Sequence, residues 1–245
     1  MAGKPDMGVR LRTIAGLVPD GCRCLADIGT DHGYIPVSLL MEGKIRRAVA
    51  ADIGKLPLDH ARRTAGLAGV AADKLDFRLG DGLSVLSPGE ADVIVIAGMG
   101  GDAIAAILED APWSRDGPLL LLQPMSRAEV LRRWLPVHGY RVSAERLVQD
   151  KGVIYPILTA RGGDMPPVTE SRSWGGLLLE ADPLWGLYLA DRVLRLRRAA
   201  AGLSMARDPA AVQKRENLLR IVEDLERWKG EWERAHGTGD RARTL

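Results

Sequence analysis

Arg23-Cys24-Leu25-Ala26-Asp27-Ile28 runs straight into Gly29-Thr30-Asp31-His32-Gly33, and Tyr34 to Glu42 follows with helical character. Apolar residues dominate the first piece, as in a buried strand. The middle piece is a short loop. Pro36 sits in the first turn of the third piece, where a missing N–H costs nothing. A strand, a glycine-bearing loop and a helix in that order form the opening unit of a nucleotide-binding α/β domain.

Working outward, the same alternation continues. Gly8 to Leu17 has helical spacing and stops at the turn signal Pro19-Asp20-Gly21. Arg47 to Ile53 reads as a second strand, Leu56 to Leu67 as a helix and Leu75 to Arg78 as a short strand. Asp92 to Ala97 (DVIVIA) and Pro118 to Gln123 (PLLLLQ) are nearly all apolar, as strands buried on both faces must be. Helices are expected over Asp102–Glu109 and Ala128–His138, and a closing hairpin over Arg141–Leu147 and Val153–Ala160. The fold class is therefore α/β, a Rossmann-like mostly parallel sheet with helices on both faces. Gly162-Gly163 and Pro166-Pro167 mark a change of texture. Beyond them, Pro183–Leu203 and Ala211–Glu233 carry apolar residues three and four apart, with Asp208-Pro209 as a break. The expected organisation is a domain over residues 1–162 and an antiparallel, coiled-coil-like helical extension over 163–245 with a frayed end after Gly237.

Composition sets limits. With 46% hydrophobic and 27% charged residues the chain reads as an ordinary globular protein. No run approaches the roughly 18 apolar residues of a membrane span. The N-terminus lacks the apolar block of a signal peptide, so the expected setting is cytoplasmic, without membrane attachment. Cys22 and Cys24 stand too close for a mutual disulfide and read as small apolar residues entering a strand. His32, His60, His138 and His236 are scattered, with no pair at ligand spacing, so no metal is expected. The net charge of +2 does not single out nucleic acid. Its placement says more: residues 1–160 hold 19 basic and 19 acidic groups, and residues 161–245 hold 15 and 13. Arg192, Arg195, Arg197, Arg198 and Arg207 follow one another with no acid between them, which suits either an anionic partner or a solvated helix face.

Ligands in such sheets bind beyond the carboxyl ends of the strands. Four loops qualify. In the first, Asp27 and Ile28 are candidate cofactor-binding residues, and Gly29 lets the backbone approach the ligand. Asp31 stands where a dinucleotide loop expects its second glycine, and a carboxylate there opposes a pyrophosphate. It suits a sulfonium and an amino group, which favours S-adenosyl-L-methionine over NAD. In the second, Asp52, at 52 − 27 = 25 residues beyond Asp27 and followed by Ile53, lies near the roughly 20-residue spacing of a ribose-binding acid. A helix N-cap or turn role is the competing reading. In the third, Gly80-Asp81-Gly82 offers Asp81 to an adenine amino group, or as a plain turn residue. In the fourth, Ala97-Gly98-Met99-Gly100-Gly101 removes side chains from the place where donor and acceptor meet. Gln123 and Pro124 either line an acceptor pocket or end their strand.

Taken together, Ala26–Pro36 (ADIGTDHGYIP), Gly80–Leu83 (GDGL), Ile96–Gly101 (IAGMGG), Leu122–Pro124 (LQP) and the N-terminal Arg10-Leu11 resemble the bacterial tRNA (adenine(22)-N1)-methyltransferase family. The likeness spans nearly the whole chain, C-terminal helices included. It implies methyl transfer from S-adenosyl-L-methionine to N1 of an unpaired adenine in tRNA. Asp31 would then be catalytic, with binding of the donor's methionine amino group as its competing role, and His32 and Tyr34 beside it. Gly100, Gly101, Gln123 and Pro124 would lie on the acceptor side, and Arg192, Arg195 and Arg198 would hold tRNA phosphates, in a monomer or weak dimer. Two positions depart from the family: Met125 where Asn is frequent, and Gly33 where Ala is frequent. The rival expectations are a methyltransferase for another RNA or a small molecule, a nicotinamide-dependent oxidoreductase, and a non-catalytic RNA-binding module.

Overall fold

A computed structural model describes residues 3, 5–205 and 207–237. The expectation of a frayed end after Gly237 therefore falls outside the described residues. The chain forms two compact units, Met1–Pro167 and Val168–Leu245, dividing after Pro167 where the sequence texture suggested residue 162.

The first unit runs α1 (Val9–Gly16), β1 (Cys22–Ile28), α2 (Tyr34–Met41), β2 (Ile45–Asp52), α3 (Lys55–Ala68), β3 (Leu75–Leu79), β4 (Val93–Gly100), α4 (Gly101–Glu109), β5 (Leu119–Ser126), α5 (Ala128–Val137), β6 (Tyr140–Asp150) and β7 (Val153–Gly162). Its single sheet has the order β3-β2-β1-β4-β5-β7-β6. The first five strands in that order pair in parallel. β7 returns antiparallel to β5, and β6 pairs with β7 as the anticipated hairpin. The parallel strands need crossovers, and the helices supply them. Strand side chains alternate between faces. Val93 and Val95 join Ile14, Leu25, Ile35, Val37 and Leu121 in one cluster beneath α1, α2 and α3. Ile94 and Ile96, both 0% exposed, point to the face that α4 and α5 cover. The order reverses between β1 and β4, so a crevice opens at their carboxyl ends.

Two features of this unit differ from the sequence reading. Ala97-Gly98-Met99-Gly100 is not a loop: β4 continues through it, with register irregularities at Met99 against β5. The glycines permit a bulged strand end that re-aims the chain at the crevice. Buried charge also appears where apolar packing was expected. Arg132 on α5 and Glu145 on β6 form an ion pair with both side chains 0% exposed.

Cys22 and Cys24 are buried, free thiols in β1. Burial pushes the Cys22 thiol up to about 11 and raises Cys24 as well, so both stay protonated and inert.

The second unit contains a short helix, α6 (Glu170–Gly175), then α7 (Trp185–Gly202) and α8 (Pro209–His236). Asp208 caps α8 by accepting a 3.0 Å bond from the Ala211 N–H, and Pro209 occupies the first turn. Gly186 lies against the Trp232 ring and Arg197 pairs with Glu226 at 2.7 Å, the crossing pattern of an antiparallel pair. Among the described residues no helix is long and apolar enough to cross a membrane.

Candidate active site

Two clefts meet at the carboxyl ends of β1 and β4. The smaller, about 250 Å³, is lined by Arg10, Asp27, Thr30, Asp31, His32 and Tyr34, among others. The larger, about 480 Å³, is lined by Ile28, Asp52, Ile53, Asp81, Met99 and Ile107, among others. Gly29, Ala97 and Gly98 border both.

The first loop is built around Asp27. Its carboxylate, at the end of β1, is buried and accepts a 2.6 Å bond from the Thr30 hydroxyl. Burial pushes the Asp27 carboxyl up to about 6; the Thr30 bond opposes this, and the nearby Asp52 charge adds to it. A carboxylate held uncomfortably in this way gains from a cation placed beside it. Asp52 ends β2. One of its oxygens accepts from the Gly54 N–H at 2.9 Å and the other from the Asp31 N–H at 3.3 Å. It therefore fastens two loops, as the turn reading expects, and it also lines the larger cleft.

Asp31 adopts left-handed backbone geometry, φ +50°. Aspartate tolerates this better than most residues, and a strained residue at a cleft mouth marks a site whose shape matters. Its side chain is exposed, 3.6 Å from His32 Nε2. His32 stacks on Tyr34, with ring centroids 5.1 Å apart, and on His60, at 4.9 Å. Gly98, at φ +82°, has open space where a Cβ would stand. Gly80, Asp81 and Gly82 border the larger cleft as anticipated. Its apolar wall comes from Ala103, Ala106 and Ile107 of α4.

Four expected residues are placed differently. A Cβ on Gly101 would stand 2.3 Å from the Arg127 carbonyl oxygen, and one on Gly100 would stand 2.5 Å from Asp102. These two glycines serve close packing and line neither cleft. Gln123 is 0% exposed, and buried Pro124 follows it. The Gln123 amide accepts from Arg10 Nη1 and donates to the Pro124 carbonyl at 3.0 Å. Gln123 thus positions Arg10 and does not form a pocket wall. Met125, at the family's Asn position, is exposed and lines neither cleft.

The arginine stretch is also less free than its spacing suggested. Arg192 is only 14% exposed; it pairs with Asp191 at 2.7 Å and lies over the Tyr188 ring at 4.8 Å. That engagement removes it from the phosphate-binding set. Arg195 shares Asp191, whereas Arg198 and Arg207 are exposed. The histidines are not all scattered either: folding brings His60 of α3 beside His32, which linear spacing could not show.

Five acids line the clefts (Asp27, Asp31, Asp52, Asp81 and Asp110), and among the described lining residues Arg10 is the one lysine or arginine. Such a surface fits a ligand with cationic groups and a single carboxylate.

Residues 7–158 match a family described as a methyltransferase domain. A Bacillus subtilis protein named tRNA (adenine(22)-N(1))-methyltransferase is 37% identical over 182 residues, 74% of either chain. The chain belongs to the tRNA (adenine(22)-N1)-methyltransferase family. The crystal structure of the B. subtilis m1A22 tRNA methyltransferase superposes with a TM-score of 0.82 at 30% identity, covering 91% of this chain and 99% of that one. A Streptococcus pneumoniae protein crystallised with S-adenosyl-L-methionine gives 0.75 at 29% identity, covering 91% and 100%. Within this family frame, the sequence motifs at residues 26–36 and 80–83 and the first part of the one at 96–101, through Met99, border the crevice. Arg10 is the cleft residue that motif reasoning did not assign; His60 lies beside His32 and lines neither cleft.

Proposed function

We propose that this chain transfers a methyl group from S-adenosyl-L-methionine to N1 of an adenine in tRNA, at a site of the position-22 type. The observation that carries the reading is the pair of acid-lined clefts at the β1/β4 switch point, in a chain whose relatives bear that activity. When bound, S-adenosyl-L-methionine supplies an electrophilic methyl group on a cationic sulfur. Asp27 is placed to take its ammonium group, Arg10 its carboxylate, Asp52 the ribose hydroxyls, and the Ala103–Ile107 wall the adenine ring. The free lone pair at N1 of the acceptor base needs no deprotonation. Its methylated ring is cationic, and Asp31, by accepting from the exocyclic amino group, stabilises charge that grows only in the transition state. His32 and Tyr34 present flat rings beside it. N1 lies on the Watson–Crick edge, so the base must leave its pair to react.

The first unit is the catalytic domain in this proposal, and the helices of the second hold tRNA phosphates through Arg195 and Arg198. A monomer or weak dimer in the cytoplasm, with no metal requirement for transfer, completes it. The test is mass spectrometry of nucleosides from tRNA incubated with the protein and isotopically labelled donor. Labelled 1-methyladenosine is the expected product; label on another nucleoside, or on a small molecule, would assign a different acceptor.

The Asp27 assignment carries a pH signature. Asp27 is charged above about pH 6 and neutral below. Donor affinity is therefore full at neutral pH and falls about tenfold per unit once the pH drops below that value. S-adenosylhomocysteine keeps the ammonium and should follow the same slope. Calorimetric titrations across this range check it, and a flat profile removes Asp27 from the donor site.

For the helical unit, Arg195→Glu with Arg198→Glu should weaken tRNA binding and flatten its salt dependence. Each lost phosphate contact removes about 0.7–0.9 from the log–log slope. Arg192→Gln should instead lower the melting temperature, because Arg192 is engaged with Tyr188. An unchanged salt slope in the double variant would release α7 from the RNA-binding role.

A further inference from the structure

Asp31, His32 and His60 each offer one ligand atom, and these three atoms lie within 4.8 Å of one another. The Asp31 carboxylate is already 3.6 Å from His32 Nε2; the two imidazoles are stacked, at 5°, so one ring must turn about its side-chain bonds for both in-plane lone pairs to converge on one ion. His60 is anchored on α3 and lines neither cleft, whereas Asp31 and His32 stand at the mouth of the smaller one. We propose that these three residues form a site for a divalent transition-metal ion of the zinc type, and that its occupancy shuts off methyl transfer.

The chemistry of the donor set selects the ion. Two imidazole nitrogens and one carboxylate oxygen suit Zn²⁺, Co²⁺ or Ni²⁺. Mg²⁺ and Ca²⁺ prefer oxygens and are poorly served. Bonds of about 2.0–2.2 Å place tetrahedral ligand atoms about 3.3 Å apart. The Asp31–His32 pair is near that spacing now. The exposed Asp31 and the half-buried histidines can close the rest by rotation about their side-chain bonds. Three protein ligands leave a fourth position for water.

Occupancy acts twice on the proposed reaction. It commits the Asp31 carboxylate to the metal, so that group no longer receives the adenine amino hydrogen. It also adds positive charge at a mouth whose acids attract a cationic donor. Metal and donor must then weaken each other reciprocally. The binding half of the inference stands on geometry alone, whereas the inhibition half rests on the methyl-transfer reading.

The test titrates Zn²⁺ calorimetrically into the full chain without donor and records the visible spectrum of the Co²⁺-loaded chain. One ion per chain is expected, with Co²⁺ absorption of a low-coordinate nitrogen–oxygen site and no such binding of Mg²⁺. The buried thiols of Cys22 and Cys24 do not compete. His60→Gln should weaken Zn²⁺ binding about tenfold or more. In a chelated buffer its methyl transfer should stay within about twofold of the unaltered chain, and it should keep that activity at a Zn²⁺ level that stops the unaltered chain. If the unaltered chain binds no Zn²⁺, or His60→Gln binds it equally well, the site is refuted. Should His60→Gln fail to fold, the Co²⁺ spectrum of the Asp31→Asn variant against the unaltered chain decides instead; identical spectra would also refute it. Activity persisting with the ion bound overturns inhibition alone. If no methyl transfer occurs under any condition, the acceptor or reaction assignment has failed, while the Co²⁺ spectrum still reports on the site.

Discussion

Asp31→Ala is expected to slow methyl transfer by about a hundredfold or more, with affinity for S-adenosyl-L-methionine changed only a few-fold. Asp31 is exposed at the cleft mouth, and the more deeply placed Asp27 is the acid that faces the donor's ammonium in our assignment. Removing the Asp31 side chain therefore takes away stabilisation that arises as the ring becomes cationic, and little that holds the ground state. Asp31→Asn sharpens the point. Its amide oxygen still accepts a hydrogen bond but carries no charge, so recovery of rate would credit the hydrogen bond, and a rate as low as alanine's would credit the charge. Asparagine also tolerates the φ +50° backbone at this position, which makes it the better-controlled variant. Single-turnover rates at saturating donor and tRNA, beside calorimetric donor binding, separate these outcomes. A variant that loses donor binding but reacts normally when saturated would move Asp31 from catalysis to donor recognition.

The second large effect concerns folding. Arg132→Met should destabilise the first unit by about 3–5 kcal/mol, because Glu145 would lose the buried guanidinium that faces it. The pair's side chains are fully excluded from solvent, and Arg132 Nε donates to Glu145 Oε1 at 2.8 Å. Taking both charges out of water is costly, so the intact pair is worth far less than breaking it costs. The double replacement Arg132→Met with Glu145→Leu should recover most of the loss. Urea unfolding of the single and double variants measures this. Equal destabilisation in both would mean that shape, and not stranded charge, is what the pair provides.

The sheet was legible because its strands obey a simple rule. Runs such as Asp92–Ala97 and Pro118–Gln123 are apolar on both sides, which only a sheet covered on both faces accommodates. The glycines after Ala97 misled for an equally physical reason. Glycine signals freedom, and here the freedom serves a bulge in β4 and tight packing of Gly101 on the α5 entrance. The helix α6 was not anticipated. It is six residues long, too short for a periodic signal, although Thr169 caps it by accepting from the Arg172 N–H.

At the site, the acids could be found because each ends a strand or follows a glycine. Arg10 could not be assigned by that logic, and the approach of His60 to His32 outside the clefts could not be read either, since their neighbours in space are far away in the chain. Arg10 meets Gln123 across 113 positions. The engagement of Arg192 is different, since Tyr188 lies four positions before it and one helical turn brings the two together. Helical spacing alone carries that contact, although an unbroken row of arginines reads as a row of free cations.

The two thiols sealed into β1 have a practical bearing. With Cys22 near 11, only about one molecule in ten thousand presents a thiolate at neutral pH, and the strand gives a reagent no route to it. A cysteine placed at Arg198 or another open position of α7 would therefore be the group that a maleimide dye finds first. Fluorescent reporters could be attached to the helical unit, and its encounter with RNA followed in real time, without stripping the native cysteines out of the core.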